Sequence, residues 1–235
     1  MTPIAFIDLY CERTAPGFCN EPVKAISNIG FVIAAIFAWR ISQKRKDVTP
    51  DLWEISLFML AALIGLGSFL FHTFANSYAE LADVVPIWSF VALYLFVVIY
   101  RSTGEDVKRT VRISAIALFV TGTVFWFMSG NIVTDIHSHD HSRGSFNGSL
   151  QYLPALVALI IFSLITALRR HPARRMIVFA TTAFSLSLVM RTIDHSVCDL
   201  TGIGTHFLWH ILNAVMIGML LVTLVREYPR FASTR

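Results

Sequence analysis

Charged side chains are scarce: Asp, Glu, Lys and Arg make up 14% of the 235 residues, where a soluble domain carries about 25%. Hydrophobic residues reach 55% and the mean hydropathy is +0.64. Water is therefore not the main solvent of this chain, and a single polytopic membrane domain fits better than one or two soluble ones. No Gly/Ser-rich linker and no internal repeat divides it, which leaves residues 1–235 as one domain. The N-terminus also lacks the basic cluster of a cleavable signal peptide, since its first ten residues contain Asp8 and neither Lys nor Arg. The first long apolar run is expected to serve as an uncleaved signal anchor. A net charge of +4 and a pI near 9.1 do not point to nucleic acid, because the positive charge sits in short segments between apolar runs and forms no patch.

What is abundant is apolar length. A membrane helix needs roughly 20 mostly apolar residues, and seven stretches qualify, at about 22–40, 52–74, 83–100, 112–130, 150–168, 175–193 and 205–225. The expected fold is all-α, a bundle of seven transmembrane helices. Arg40, Lys44, Arg45 and Lys46 follow the first run; Arg101, Lys108, Arg109 and Arg112 follow the third. Arg169, Arg170, Arg174 and Arg175 follow the fifth, and Arg226, Arg230 and Arg235 follow the seventh. Fifteen of the nineteen basic residues thus fall on one side, leaving Arg13, Lys24, Arg143 and Arg191 on the other. The positive-inside rule then puts the N-terminus outside and the C-terminus in the cytoplasm, as an odd number of spans requires. The pattern suits a bacterial inner membrane or an organelle membrane, with the periplasm or lumen as the outer side.

Cysteine is nearly absent, with Cys11, Cys19 and Cys198 the whole set. Cys11 and Cys198 share the outer side, where a pair can oxidise; three free thiols fit the spacing as well.

This topology gathers polar residues at one depth. The second run ends outside in "GLGSFLFH", with Ser68 and His72 four apart on one helical face. The third begins outside in "ADVVPIW", with Asp83 at its mouth, and the seventh begins in "GIGTHFLWHILNA", where His206 and His210 again share a face. Ionisable groups at membrane depth are costly and face a functional interior. Three imidazoles plus water make a catalytic zinc arrangement, because a fourth position stays open; each histidine taken singly could equally be a hydrogen-bonded packing residue. Zinc would activate its water and polarise a carbonyl. Asp83 is placed to carry a proton, and Ser68 to stabilise the oxyanion or hold the water.

Four segments, "YCERTAPGFCNEPVKAISN", "GSFLFH", "LADVVPI" and "GTHFLWH", resemble the alkaline ceramidase family, within the wider group of seven-helix membrane hydrolases that includes the adiponectin and progestin receptors. The resemblance implies zinc held by His72, His206 and His210, assistance from Ser68 and Asp83, and release of a fatty acid from an N-acyl lipid such as ceramide. It also implies a Cys11–Cys198 disulfide, and calcium held through the N-terminal acidic segment. Glu12 and Glu21 match that segment, whereas Asp8 sits one residue out of step and Thr14 stands where Asn is usual. Two further departures are Cys19, at a position usually aromatic, and Lys24, at one usually Asn. Carboxylates there suit a hard cation; a solvated segment that seats the first helix is the plainer reading.

Two other clusters remain. "DIHSHDHS" puts His137, His139 and His141 in an outer loop, a weak metal tract or a solvated loop. Arg191, Asp194 and His195 close the sixth run; they satisfy one another, or the first two line a pocket, or His195 competes for the metal. Against the hydrolase stands a lipid-binding receptor with a structural zinc, which would need a closing fourth ligand. A transporter is disfavoured by the lack of matching halves with broken helices. Partners are the bilayer and its lipids; sequence sets no oligomeric state.

Overall fold

The computed structural model describes residues 7, 10–13, 15, 17–45, 49–129 and 145–228. Among them are nine α-helices: α1 (Pro22–Ser27), α2 (Ile29–Gln43), α3 (Leu52–Phe74), α4 (Ser77–Ser102), α5 (Val107–Ser129), α6 (Leu153–Leu168), α7 (Arg174–Thr192), α8 (Cys198–Thr201) and α9 (His206–Glu227). No β-strand occurs among the described residues. Five helical stretches are long and apolar enough to cross a membrane: Pro22–Gln43, Leu52–Phe74, Ser77–Ser102, Phe146–Leu168 and His206–Glu227. A sixth joins Arg174–Thr192 to His195–Thr201 across a 58° bend. The chain is an integral, multi-pass membrane protein.

The long helices close a ring in chain order. α2 packs on α3, α3 on α4, α6 on α7, α7 on α9 and α9 back on α2, with α5 standing between α4 and α6. Leu57, Ala61, Val97, Leu221 and Leu224 are completely enclosed, while Ile33, Phe37, Met59 and Leu164 project outward. Outward isoleucine and phenylalanine would be a liability in water and are the expected lining against lipid. Small residues set the closest approaches, as membrane helices require: a Cβ on Gly30 would lie 3.0 Å from Ala214, and one on Gly218 3.3 Å from Ala34.

α4 begins at Ser77, six residues before the expected third span. Asn76 is the cause: its side chain accepts a hydrogen bond from Ala79 N at 2.9 Å, and Ala75 turns the chain in the left-handed region at φ 49. Asp83 consequently lies inside the helix, nearly two turns below its start, and not at its mouth.

An N-terminal strap crosses this turn. Ile7 N donates to Ala75 O at 3.0 Å and Gly17 N to Thr73 O at 2.8 Å. Cys11 and Cys198 are disulfide-bonded across 187 residues, tying the strap to α8; a loop of that length stabilises by about 5 kcal/mol in the chain-entropy model.

The other end of the bundle is closed by charge. Arg101 Nη2 donates to Asp51 Oδ2 at 2.8 Å and to Glu54 Oε1 at 3.0 Å, while its Nη1 donates to Tyr228 O at 2.6 Å. Arg45 also pairs with Glu54. Glu54 and His72 are both on α3, and at 1.5 Å per residue they lie about 27 Å apart. Glu54→Ala leaves the buried Arg101 guanidinium with Asp51 and Tyr228 O, deprives Arg45 of its carboxylate, and should cost about 2–3 kcal/mol of stability. Chemical unfolding in detergent checks this.

Candidate functional site

His72 on α3 and His206 and His210 on α9 are buried at 2%, 1% and 2% exposure. One nitrogen from each lies within 4.8 Å of the others. Their hydrogen bonds fix the tautomers. His72 Nδ1 donates to Glu21 Oε2 at 3.1 Å, and His210 Nδ1 donates to Lys24 O at 3.1 Å with Ser27 Oγ at 2.7 Å. Ser27 Oγ gives its own proton to Lys24 O at 2.7 Å, so it too accepts from the imidazole. With Nδ1 protonated on both rings, the two Nε2 atoms carry lone pairs, and they face each other at 3.2 Å.

Two bare nitrogens at that distance repel unless a cation lies between them. Nitrogens held 2.0–2.1 Å from a tetrahedral zinc sit about 3.3–3.4 Å apart, so the spacing suits an ion of that size. His206 Nδ1 has no partner among the protein atoms. A carboxylate and a carbonyl behind the imidazoles are the usual orienting partners of metal-bound histidine. The donor set fits a three-histidine metal centre.

Ser68 lies one turn before His72 and hydrogen-bonds the Asp83 side chain; Asp83 Oδ1 makes no hydrogen bond. What brings these two helices together is Gly67. A Cβ there would stand 1.9 Å from Ala82 O, so only glycine permits the contact. Pro86, inside α4, has no N–H to return to Ala82 O, and that unclaimed carbonyl is the one lying against Gly67.

Arg191 is buried at the end of α7, its guanidinium 5.7, 5.3 and 5.2 Å from the rings of Tyr10, Tyr152 and Trp209. Its Nη1 donates to Tyr10 Oη at 3.3 Å. The Tyr10 ring in turn stacks on His206 at 3.8 Å between centroids, and burial raises the Tyr10 pKa above its ordinary value. Below this layer, Trp209 and Tyr152 roof an apolar chamber that continues between Ile87, Trp88, Phe90, Leu159, Phe184 and Leu220, with an empty volume of about 860 Å³, open mouth included. Asn213 is the polar exception in its wall.

The remaining expected residues fall in different places. Glu21 is enclosed at 1% exposure, bound to Arg13 as well as His72; burial raises its pKa against the pull of Arg13 and Lys24. Glu12 accepts from the backbone N–H groups of Val23 and Lys24, closing the open start of α1. Asp194 does not pair with Arg191. Its Oδ1 accepts from Thr205 N and His206 N, both at 2.8 Å, and its Oδ2 from Cys11 N at 3.1 Å, so it caps α9 and holds the strap. His195 does not belong to the group that could share an ion. Asp8, Thr14, His137, His139 and His141 lie outside the described residues. Tyr10, Arg13 and Ser27 were given no site role in the sequence reading, although all three lie inside the first quoted segment, residues 10–28.

Comparison with curated proteins returned no match. The family model described as Ceramidase matches residues 9–234, from the strap through the last helix, and the chain belongs to the ceramidase family.

Proposed function

We propose that this ceramidase-family hydrolase is a zinc-dependent membrane amide hydrolase, cleaving the N-acyl bond of ceramide or a related lipid. One observation carries the reading: two imidazoles oriented by acceptors present bare nitrogens to a common point, with a third alongside, above an apolar chamber and beside the Ser68–Asp83 pair. His72, His206 and His210 would hold the metal. Zinc there supplies Lewis-acid chemistry, lowering the pKa of a bound water to near 7 and polarising a carbonyl oxygen.

The chain's own residues do the rest. Asp83, with one oxygen free, takes the proton of the attacking water and delivers it to the departing amine nitrogen, so that the C–N bond breaks to a carboxylic acid and an amine. Ser68 donates to the Asp83 carboxylate in the resting state. Once Asp83 is protonated that bond weakens, and the hydroxyl is released toward the oxyanion. The chamber below Trp209 receives the apolar chain of the lipid and keeps water from the scissile bond. Glu21 and Lys24 O hold His72 and His210 in the binding tautomer.

Seven spans, with the site on the outer side and the C-terminus cytoplasmic, complete the proposal. α5 is 23 residues long and fills the ring position between α4 and α6. Three of the four outer cations, Arg13, Lys24 and Arg191, are buried, so the outer loops are even poorer in exposed positive charge than the plain count implies.

Purified protein in detergent, given a panel of N-acyl and O-acyl lipids, tests this. Hydrolysis of an N-acyl sphingoid lipid, abolished by chelator and restored by zinc, is the expected result. Lipid binding without hydrolysis of any panel member would replace the enzyme with a receptor.

A further inference from the structure

We propose that the Lys24 ammonium is the resident cation of the acidic pocket behind the imidazoles, and that the chain therefore holds no calcium there. Lys24 is completely buried, at 0% exposure, in the first turns of α1. Its Nζ lies 3.5 Å from Glu21 Oε1 and 3.8 Å from Asp194 Oδ2, with Glu12 the third carboxylate acting on it and the Tyr10 ring 5.2 Å away. Its nearest carboxylate oxygen, Glu21 Oε1, stands at 3.5 Å, the outer limit of a hydrogen bond, so the ammonium is held chiefly by the surrounding negative charge that Glu12, Glu21 and Asp194 supply.

The residues do not fit the calcium that the family resemblance implies. Calcium takes 6–8 oxygen ligands at 2.3–2.6 Å. Here Glu21 Oε2 is committed to Arg13 and His72, both Asp194 oxygens accept from backbone N–H groups, and Glu12 accepts from two more. That leaves Glu21 Oε1, facing the ammonium, and Glu12 Oε2 as the uncommitted oxygens of the three acids, far short of such a shell. The space left between them is filled by the ammonium. Charge leads to the same conclusion. Glu12, Glu21 and Asp194 against Arg13 and Lys24 leave one negative charge, whereas an added divalent ion would leave a positive one buried beside the imidazoles, an unfavourable exchange. Remove the ammonium, and two negative charges remain, which one divalent ion balances.

Lys24 is thus a positioning residue. Its charge keeps Glu21 against His72 and Asp194 against the start of α9, a task that needs no dissolved ion. Equilibrium dialysis of the full-length protein in detergent against radioactive calcium, with thermal unfolding in parallel, tests this independently of catalysis. The wild type should show no saturable uptake up to about 1 mM, the weak end of protein calcium sites, and no calcium-dependent change in Tm. Lys24→Asn should be destabilised without calcium, bind one ion per chain, and gain roughly 5–10 °C in Tm at a calcium concentration 100 times its Kd. One calcium bound per wild-type chain at sub-millimolar concentration overturns the proposal, whatever the variant does. So does a Lys24→Asn protein as stable as the wild type and indifferent to calcium. If the variant yields no folded protein, the wild-type dialysis decides alone.

Discussion

Asp83→Asn should keep its zinc and lose about 10²–10⁴-fold in kcat, the range of a positioned general acid–base. The carboxylate lies outside the group of side chains that can share an ion, so the metal does not depend on it. Asparagine has nearly the same shape and still offers Ser68 an oxygen to donate to, so the close α3–α4 contact at Gly67 should survive. What it lacks is the ability to take up a proton, and Oδ1, the atom without a partner, is where that ability matters. Elemental analysis and single-turnover hydrolysis on the same preparation separate the two quantities. Ser68→Ala should be milder, at most about 10²–10³-fold for one lost oxyanion donor. An Asp83→Asn enzyme with normal zinc and an unchanged rate would remove Asp83 from the chemistry.

His206→Ala is expected to lose both metal and activity. Three nitrogens within 4.8 Å become two, and two imidazoles do not complete a catalytic zinc site. His206 is also the first residue of α9, with its backbone N–H on Asp194 and its ring on Tyr10. The cap is a backbone contact and persists in the variant, whereas the stacking is lost and leaves a small void. Unfolding is therefore measured beside zinc content. A folded His206→Ala protein with a full complement of zinc would show that the ligands are other residues.

Much of this was legible in the apolar periodicity. Each of the seven expected runs overlaps a helix, and five of them, or six with the bent pair, are long and apolar enough to cross a membrane, because apolar length is a property of consecutive residues and needs no partner. The i, i+4 pairing of Ser68 with His72 and of His206 with His210 was legible for the same reason. Asp83 was misplaced by nearly two turns because the third apolar run begins there, whereas the helix also takes in the more polar residues from Ser77 to Ala82 behind the Asn76 cap. Arg13, Lys24 and Arg191 were counted only as cations of the outer side, since their burial depends in part on groups contributed by remote segments: Phe71 O for the first, Asp194 for the second, Tyr152 and Trp209 for the third. For Asp194, sequence offered a partnership with its neighbours Arg191 and His195 or a place in the pocket wall. In the folded protein its carboxylate faces the free N–H groups at the start of α9, 11 and 12 residues further along the chain, a distance at which no local spacing rule pairs a side chain with a backbone group.

The ring closes in chain order, and that has a consequence for how the protein is made. His72, Glu21, Lys24 and Cys11 leave the ribosome in the first third of the chain, whereas Asp194, Cys198, His206 and His210 arrive near its end. Until then Lys24 lacks one of its acids, Cys11 its bonding partner, and His72 the two rings with which it could hold an ion. The first span must therefore wait in the bilayer with its outer end exposed to solvent, and the seam between α2 and α9 is the last to shut. The proposed loading of metal belongs to that final docking, and the disulfide forms only after Cys198 has followed α7 out, so a nascent chain halted before α8 carries neither. The finished centre is in this sense a proofreading mark: only a completely inserted chain can bear it.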